Sequence, residues 1–273
     1  MENIQALQRQ TLDISKLEPR KQAELKFHNK NRDEALTQSL PQDTFELLHG
    51  NKKFYSVVQK SRDFVAQWIA ANAKDKVFLD YACGNGELAR LALLNGAKLS
   101  IGIDISDVSI RNARKIDDAC VFIHGDCEAT GLQDSSIDVV VCSGVLHHLF
   151  LPNVFKELQR ILRPGGKVLC IEALDYNPLI KLYRMLTPAM RTEWEASHIL
   201  SMRDVKLARQ FFAVEYIRFW HLFSILAVPF RKTRFFQPLL KWLEKIDETA
   251  LRIPGLRLMA WQFTFELRKP YGG

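Results

Sequence analysis

Two acids of this chain stand where they could bind a nucleotide-type ligand. Asp80 ends an apolar run and is followed by a glycine turn, and Asp104 ends the next apolar run. A strand–turn–helix connection points backbone N–H groups and the N-terminus of the helix at a ligand that lies over the turn. Gly84 and Gly86 carry no side chain, so a ligand can approach the backbone there. The pattern predicts a binding turn in which Asp104 accepts hydrogen bonds from both hydroxyls of a ribose.

The glycine turn by itself fits more than one class of protein. Gly84-x-Gly86-x-x-Ala89 matches the dinucleotide fingerprint, and Asp104 follows at the spacing which that fingerprint requires. A plain strand-to-helix turn of any α/β protein would have the same appearance. The segments that follow the turn therefore have to separate these interpretations.

Short apolar runs alternate with amphipathic helix patterns along the middle of the chain, which indicates βαβ units and a parallel sheet. The five runs predict strands at residues 77–80, 98–104, 119–124, 136–142 and 167–172. Right-handed crossovers make this a doubly wound fold, whose ligand lies outside the carboxyl ends of the strands.

Five segments, taken in order, resemble a class I S-adenosylmethionine-dependent methyltransferase of the type 11 group, which contains small-molecule and quinone methyltransferases. These segments are residues 79–86, 102–106, 125–128, 136–148 and 162–166. A dinucleotide-dependent dehydrogenase does not predict the Gly-Asp-Cys-Glu step or the Arg-Pro-Gly-Gly turn. The resemblance covers roughly residues 55–175. It implies an α/β fold with a doubly wound, mostly parallel seven-stranded sheet, Rossmann-like, with helical cap insertions.

The resemblance implies S-adenosylmethionine as the cofactor and gives the acids a role. Asp80 would help to hold the methionine ammonium, directly or through water, and Asp104 would bind the ribose hydroxyls. Asp126 would accept a hydrogen bond from the adenine amino group, with the backbone of Cys127 beside it, while Ile105 packs on the adenine. Each acid could also be an ordinary strand-end residue.

Small residues complete the implied cofactor site. Ala82, Gly84 and Gly86 would form the floor beneath the ribose and the methionine carboxylate, and Ser143 would lie near the methionine moiety. Ala82 stands where the group usually has its first glycine. Alanine is tolerable there if the backbone has a negative φ. No metal ion is implied.

His147 and His148 are the first candidates for catalysis, because they follow the fourth strand on the side where the donor methyl should point. Histidine titrates near neutrality and can take a proton from an acidic hydroxyl or a carbon nucleophile. Glu172 and Asp175, beyond the fifth strand, are further candidate bases. A His-His pair can also be a helix start or a packing feature, and His28 could belong to a lid or to the surface.

Composition agrees with an enzyme of the cytoplasm. The chain has 273 residues, 47% hydrophobic and 25% charged, which suits one large α/β domain with insertions. None of the five cysteines forms a CxxC pair, which favours buried reduced thiols over disulfides or zinc. The first residues lack a signal sequence, and no apolar run approaches the ~20 residues of a membrane span.

Three regions are predicted: an N-terminal helical lid at residues 1–54, a cofactor-binding Rossmann-like core at 55–175, and the last strands with a substrate cap at 176–273. The last two strands are predicted at residues 213–220 and 256–267, the second closing the sheet as an antiparallel hairpin. Residues 175–210 and 222–256 would be helical insertions around the substrate mouth.

The third region is basic and aromatic, with sixteen Lys/Arg against eight Asp/Glu and hence a net charge of +8. Such a cap lines a hydrophobic substrate pocket, or rests on an anionic membrane surface. A nucleic-acid partner is disfavoured, because the basic residues alternate with large aliphatic ones instead of forming a stripe. We therefore expect methyl transfer to a small hydrophobic acceptor, aromatic, quinone-like or lipid-like. Oxygen is the expected acceptor atom and carbon the alternative; a non-catalytic S-adenosylmethionine- or lipid-binding protein is the competing class.

Overall fold

One central sheet organises the molecule. The computed structural model describes residues 2–9, 12–33 and 50–271. Its sheet contains seven strands in the order β3-β2-β1-β4-β5-β7-β6. The strands are β1 (Val77–Tyr81), β2 (Leu99–Asp104), β3 (Val121–His124), β4 (Ile137–Ser143), β5 (Leu162–Ala173), β6 (Ala213–Trp220) and β7 (Gln262–Arg268). Neighbouring strands pair in parallel except at β7, which is antiparallel to both β5 and β6. The predicted Rossmann-like methyltransferase fold is confirmed.

Helices cover both faces of this sheet and its carboxyl edge. The described α-helices are α1 (Glu2–Arg9), α2 (Pro19–Arg32), α3 (Gln59–Asn72), α4 (Glu87–Leu94), α5 (Asp107–Ile116), α6 (Leu151–Ile161), α7 (Pro178–Leu186), α8 (Glu193–Ser197), α9 (Met202–Ala208), α10 (Phe236–Ala250) and α11 (Pro254–Arg257). Turns of 3₁₀ helix occupy Ile14–Lys16, Gly50–Val57, Leu146–His148, Pro188–Met190 and Ser224–Phe230. None of the described helices is long and apolar enough to cross a membrane.

The central strands are apolar on both faces, as parallel strands covered by helices must be. Phe78 and Leu79 are adjacent in β1, and neither has exposed surface. Their side chains enter separate core clusters: Phe78 packs in the cluster of Val141, and Leu79 in that of Val140, both from β4. Burial of each such side chain contributes about 1.5–3 kcal/mol relative to leaving it in water. The rigid sheet that results fixes the positions of the residues at its carboxyl edge.

Two predicted boundaries were wrong, both near proline. Residues 163–166, predicted as a turn, lie inside β5 as an irregular segment that is not paired with β4. Leu162 pairs with Ile137, and the next paired residue of β5 is Lys167, opposite Val139. Pro164 has no N–H to give to the ladder. The last strand begins at Gln262 instead of residue 256, because α11 starts at Pro254. That strand also lies between β5 and β6, so β6 and not β7 closes the sheet.

Two helical layers meet over the carboxyl edge of the sheet. Helix α2 packs there from the N-terminal region and makes ion pairs with the segment after β3. The other layer contains α7, α8 and the Ser224–Phe230 turn, in the two regions predicted as helical insertions. Residues 34–49 of the predicted lid, including Pro41, lie outside the described residues. The remaining edge, between α2 and the cap, contains the candidate site.

Candidate active site

The glycine turn after β1 is held by the acid at the end of β2. Asp104 is 5% exposed, and its Oδ2 accepts a hydrogen bond from the backbone N–H of Gly84 at 2.8 Å. Its Oδ1 accepts from the N–H of Ser106, also at 2.8 Å. Each carboxylate oxygen has a second lone pair. Asp104 therefore shapes the turn and still has acceptor capacity for a ligand.

Asp80 lies beneath the same turn and is buried. Its Oδ2 accepts from the N–H of Ala89 at 3.0 Å, in the first turns of α4. Burial, aided by the nearby Asp104 carboxylate, raises the pKa of Asp80 to about 7. The contact with α4 anchors the helix N-terminus against the end of β1.

Ala82 has a backbone conformation that is unusual for a residue with a side chain. Its φ is +59°, in the left-handed region, so the condition under which alanine would be readily tolerated here is not met. The turn requires a left-handed residue at this point whichever side chain it carries, which explains why glycine is usual in the family. For a residue with a Cβ, this conformation costs roughly 1–2 kcal/mol.

A small cavity of about 80 Å³ lies at the carboxyl edge beside this turn. Six of the nine residues predicted to bind the cofactor line it: Ala82, Asp104, Ile105, Asp126, Cys127 and Ser143. The other three, Asp80, Gly84 and Gly86, lie in or beneath the turn and do not line the cavity. The sheet thus gathers residues that are as much as 61 positions apart in the chain into one place.

Cations of α2 cover this cavity. The Nζ of Lys21 lies 2.7 Å from Oδ2 of Asp126 and 3.1 Å from Oε2 of Glu128. Arg20 pairs with the other oxygen of Glu128 at 2.5 Å. The guanidinium of Arg32 lies over Gly84, where a Cβ would be only 1.9 Å from its Nη1. These side chains hold α2 against the strand ends.

His147 and Glu172, both predicted as candidate bases, are in direct contact. His147 Nδ1 lies 2.6 Å from Glu172 Oε2, while Glu172 Oε1 accepts from the N–H groups of Val145 and Leu146 at 2.8 and 2.7 Å. The carboxylate can only accept, so it fixes the imidazole tautomer with the proton on Nδ1. Burial lowers the pKa of His147, but the Glu172 carboxylate more than offsets it, and the pKa is raised above its usual 6.5.

His148 takes part in a different group of side chains, which joins the core to α2. Its Nδ1 lies 3.0 Å from Oε2 of Glu24, and His28 Nε2 lies 3.6 Å from the same oxygen. Burial and the charge of His147 lower the pKa of His148 to about 3, so the ring is neutral. Glu24, His28 and His148 place one ligand atom each within 4.8 Å of one another, close enough for a metal ion to bridge them.

A second, larger cavity of about 600 Å³ adjoins the first. Five residues line both cavities: His28, Arg32, Ser143, Gly144 and His148. About half of the residues that line the larger cavity are aromatic or aliphatic, among them Phe54, Tyr183, Ile225 and Trp261. Its polar lining contains His147, Glu172, Arg184, Arg191 and Glu195. Asp175 does not line it and pairs with Lys181 at 3.0 Å.

Sequence reasoning missed three charged residues at this edge. Lys21 and Glu24 contact partners that lie more than 100 residues further along the chain, and Arg184 reaches the site from the cap. Lys21, Glu24 and His28 lie on one face of α2 at spacings of three and four residues. That spacing was the available signal, although a solvated helix face would show it equally well.

Known proteins resemble this chain over its central part. Residues 79–170 match the family model described as a methyltransferase domain. The chain is 35% identical over 116 residues to 27-O-demethylrifamycin SV methyltransferase of Amycolatopsis mediterranei, which covers 39% of this chain and 41% of that protein. It is 31% identical over 120 residues to the ubiquinone/menaquinone biosynthesis C-methyltransferase UbiE of Rhodopseudomonas palustris, with coverages of 40% and 47%. Residues 79–170 form a methyltransferase domain, which supports the resemblance to S-adenosylmethionine-dependent methyltransferases.

The methyltransferase domain covers the segment that contains the ends of strands β1 to β4. The similarity of fold to a solved structure extends over more of the chain. The chain spans less than half the length of these curated relatives. A solved geranyl diphosphate C-methyltransferase of Streptomyces coelicolor, in complex with Mg²⁺, geranyl diphosphate and S-adenosylhomocysteine, matches with a TM-score of 0.61. It covers 92% of this chain and 99% of that one at 13% sequence identity, which establishes likeness of fold.

The residues of the methyltransferase domain fit the cofactor that its family uses. Asp104 retains acceptor capacity at the strand end, and six predicted residues converge on one cavity. Asn85 Oδ1, between the two glycines, is buried without a hydrogen-bond partner among the described residues, so the turn has a free acceptor. Two features of α2 oppose this fit: the ion pair of Lys21 engages Asp126, the predicted partner of the adenine amino group, and the guanidinium of Arg32 lies over Gly84 of the glycine turn.

Proposed function

We propose that this protein transfers a methyl group from S-adenosylmethionine to an oxygen atom of a small hydrophobic acceptor. The observation that carries the proposal is the meeting of two cavities at Ser143, Gly144 and His148. The smaller cavity has the strand-end residues expected for the cofactor, and the larger one has apolar walls suited to an aromatic, quinone-like or lipid-like acceptor.

Asp104, Asp126 and the glycine turn would hold the cofactor. When bound, it supplies an electrophilic methyl group on a sulfonium, so the protein has to supply alignment and exclusion of water. Since Lys21 pairs with Asp126, α2 has to withdraw this side chain before the adenine end can bind. Residues 1–54 are therefore proposed to act as a lid, in which α2 is the helix that carries Lys21.

His147 is proposed as the general base, with Glu172 as the residue that positions it. The Nδ1 proton is held by Glu172, which leaves Nε2 to take the proton of an acceptor hydroxyl. Removal of that proton raises the electron density on oxygen and, in a phenol or quinol, on the ring carbons as well. The base thus serves O- and C-methylation alike, and the position of the acceptor decides between them. The relatives include an O- and a C-methyltransferase.

Cofactor binding and transfer are tested separately. We expect calorimetric titration to show micromolar binding of S-adenosylmethionine and S-adenosylhomocysteine and none of NADH. The wild type is then incubated with a panel of phenols, quinols and hydroxylated lipids, and the products are examined by mass spectrometry. His147→Gln should retain S-adenosylhomocysteine affinity and lose roughly 10²–10⁴-fold in transfer rate, while His198→Gln, outside both cavities, should retain the rate.

Each other outcome excludes a part of the proposal. Binding of NADH alone would overturn the cofactor assignment. Binding of S-adenosylhomocysteine without transfer to any acceptor would favour a non-catalytic cofactor- or lipid-binding protein. Full activity of His147→Gln would exclude this residue as the base.

The basic cap is proposed to contact an anionic membrane surface. On α7, Leu179, Met185 and Leu186 are each more than 70% exposed. Phe230 and Phe235 are also exposed, and they flank the exposed cations of residues 231–234. Exposed apolar side chains beside cations are typical of interfacial membrane binding. We expect the protein to sediment with phosphatidylserine vesicles but not with phosphatidylcholine vesicles. The fraction that sediments should be smaller for Phe235→Glu than for Leu94→Glu. The second variant is the control, because Leu94 lies on α4 and is 85% exposed.

A further inference from the structure

The larger cavity contains more positive charge than an uncharged hydrophobic acceptor needs. Among its lining residues are four arginines and two glutamates: Arg32, Arg62, Arg184, Arg191, Glu172 and Glu195. Glu172 is already engaged by His147 and by two backbone N–H groups. Glu195 is thus the lining carboxylate left to face the arginines.

Arg184 is the least satisfied of these cations. Its side chain is 12% exposed, and its Nη1 is buried without a hydrogen-bond partner in the described part of the chain. The nearest carboxylate oxygen, Oδ1 of Asp175, lies 3.7 Å away, too far for a hydrogen bond, and the same carboxylate pairs more closely with Lys181 at 3.0 Å. A buried guanidinium N–H without a partner is costly to the folded state, so a partner that arrives with a ligand would be bound favourably.

A second buried cation lies close to Arg184. Arg191 is 6% exposed, and its Nη1 donates to the carbonyl of Thr187 at 2.8 Å and to that of Arg184 at 3.4 Å. Its Nε lies 3.6 Å from Glu195, whose pKa is raised by burial. Burial and the charge of Arg191 lower the pKa of Arg184 to about 10, which leaves it a cation at neutral pH. The pair forms a preorganised positive site at the end of α7.

The geometry points to an acceptor that carries an anionic headgroup, a carboxylate or a phosphate, bound by Arg184 and Arg191 with its apolar part against Phe54 and Trp261. Arginine matches both headgroups, because its planar fork presents two parallel N–H donors. Since Arg184 and His147 line the same cavity, the headgroup would also fix the distance of the reacting atom from the base. This inference rests on the proposed function, which takes the larger cavity to be the acceptor site.

The test compares amphiphiles that differ in the headgroup alone. Octanoate, octyl phosphate and octanol are titrated calorimetrically into the full chain, with and without S-adenosylhomocysteine, below their aggregation limits and at a pH where the acids are ionised. We expect at least one anion to bind roughly tenfold or more tightly than octanol, the gain typical of a hydrogen-bonded charge. The comparison of octanoate with octyl phosphate identifies which of the two headgroups the cavity prefers.

Three variants assign the effect to Arg184. Arg184→Met should lose the preference for the anion and retain octanol binding, which also shows that the cavity is intact. Asp175→Asn should bind the anion more tightly, because it removes the carboxylate that competes for Arg184. Arg203→Met, an exposed arginine of α9, removes the same charge from the surface and should change nothing.

Octanol binding as tight as that of both anions would overturn the inference, and so would an anion preference that survives in Arg184→Met. Neither result touches the proposed function, which fails instead if S-adenosylhomocysteine does not bind. The two failures are therefore distinguishable in the same set of titrations.

Discussion

The strand ends and the cap hold their polar groups in different ways. At the strand ends, the carboxylates of Asp104 and Glu172 accept hydrogen bonds from backbone N–H groups, so the sheet itself sets their positions. In the cap, Arg184 and Glu195 lie on or beside short helices, with loosely paired charges around a cavity more than seven times larger. The family match ends at residue 170, before the cap begins. Under the proposed function, this difference assigns the methyl transfer to residues held by the sheet and the selection of the acceptor to residues of the cap.

The largest effect is expected where the sheet holds a carboxylate by two backbone bonds. Asp104→Ala removes the predicted ribose acceptor and frees the N–H of Gly84, so the affinity for S-adenosylhomocysteine should fall roughly hundredfold or more. Isothermal titration measures it, and thermal unfolding shows whether the variant is folded. Asp117→Ala, after α5, is the matched control, because the half-buried carboxylate of Asp117 also accepts a backbone hydrogen bond and lies outside both cavities. Unchanged affinity in folded Asp104→Ala would refute the assignment.

The pH dependence of methyl transfer tests how the sheet positions His147. A base with a raised pKa is neutral only at higher pH, so the rate should rise through a midpoint above 6.5. In Glu172→Gln the carboxylate no longer stabilises the imidazolium and burial remains, so the midpoint should move down by about one unit or more. Exposed Glu248→Gln serves as the control. An identical midpoint in wild type and Glu172→Gln would show that His147 is not the titrating base.

Helix α2 makes a smaller contribution, because it competes with the cofactor without forming the site. Lys21→Met frees the carboxylate of Asp126, so the affinity for S-adenosylhomocysteine should rise roughly threefold to tenfold. Lys26→Met changes an exposed lysine of the same helix and should have no effect. Weaker binding in Lys21→Met would mean that Lys21 holds the cofactor instead of excluding it.

The smallest effect concerns the backbone of the glycine turn. Ala82→Gly relieves the left-handed strain at φ +59° and increases the entropy of the unfolded chain, so it should raise the free energy of unfolding by about 0.5 kcal/mol. Ala113→Gly, in the middle of α5, should lower it by about 1 kcal/mol. Urea unfolding of the two variants separates these signs, and a loss of stability in Ala82→Gly would contradict the strain argument.

Sequence reasoning located residues correctly where their position depends only on the order of strands along the chain. Asp80, Asp104 and Asp126 could be placed at the carboxyl edge because each lies at or just after the end of a recognisable strand, and parallel strands end together. The contact of His147 with Glu172 was harder, although both were named, because it depends on the register between β4 and β5. Relative strand positions of that kind leave no pattern in a single sequence.

The missed features come from contacts between distant segments. The pairing of Lys21 with Asp126 joins residues 105 positions apart, and no periodicity in either segment specifies the other. The exposure of Arg184 to a cavity depends on how short helices pack, which a hydrophobic pattern does not determine. The left-handed backbone of Ala82 could not be predicted from its side chain, because the turn around this residue sets the conformation.

The ion pairs of α2 have a thermodynamic consequence for ligand binding. A cofactor that needs Asp126 binds only the fraction of molecules in which Lys21 has left it, so the measured dissociation constant is the intrinsic constant divided by that fraction. Added salt screens partly buried pairs only weakly, but it favours the separated ions once they reach water. Two chains with identical strand ends can therefore differ in cofactor affinity, and in its response to ionic strength, through an N-terminal helix alone.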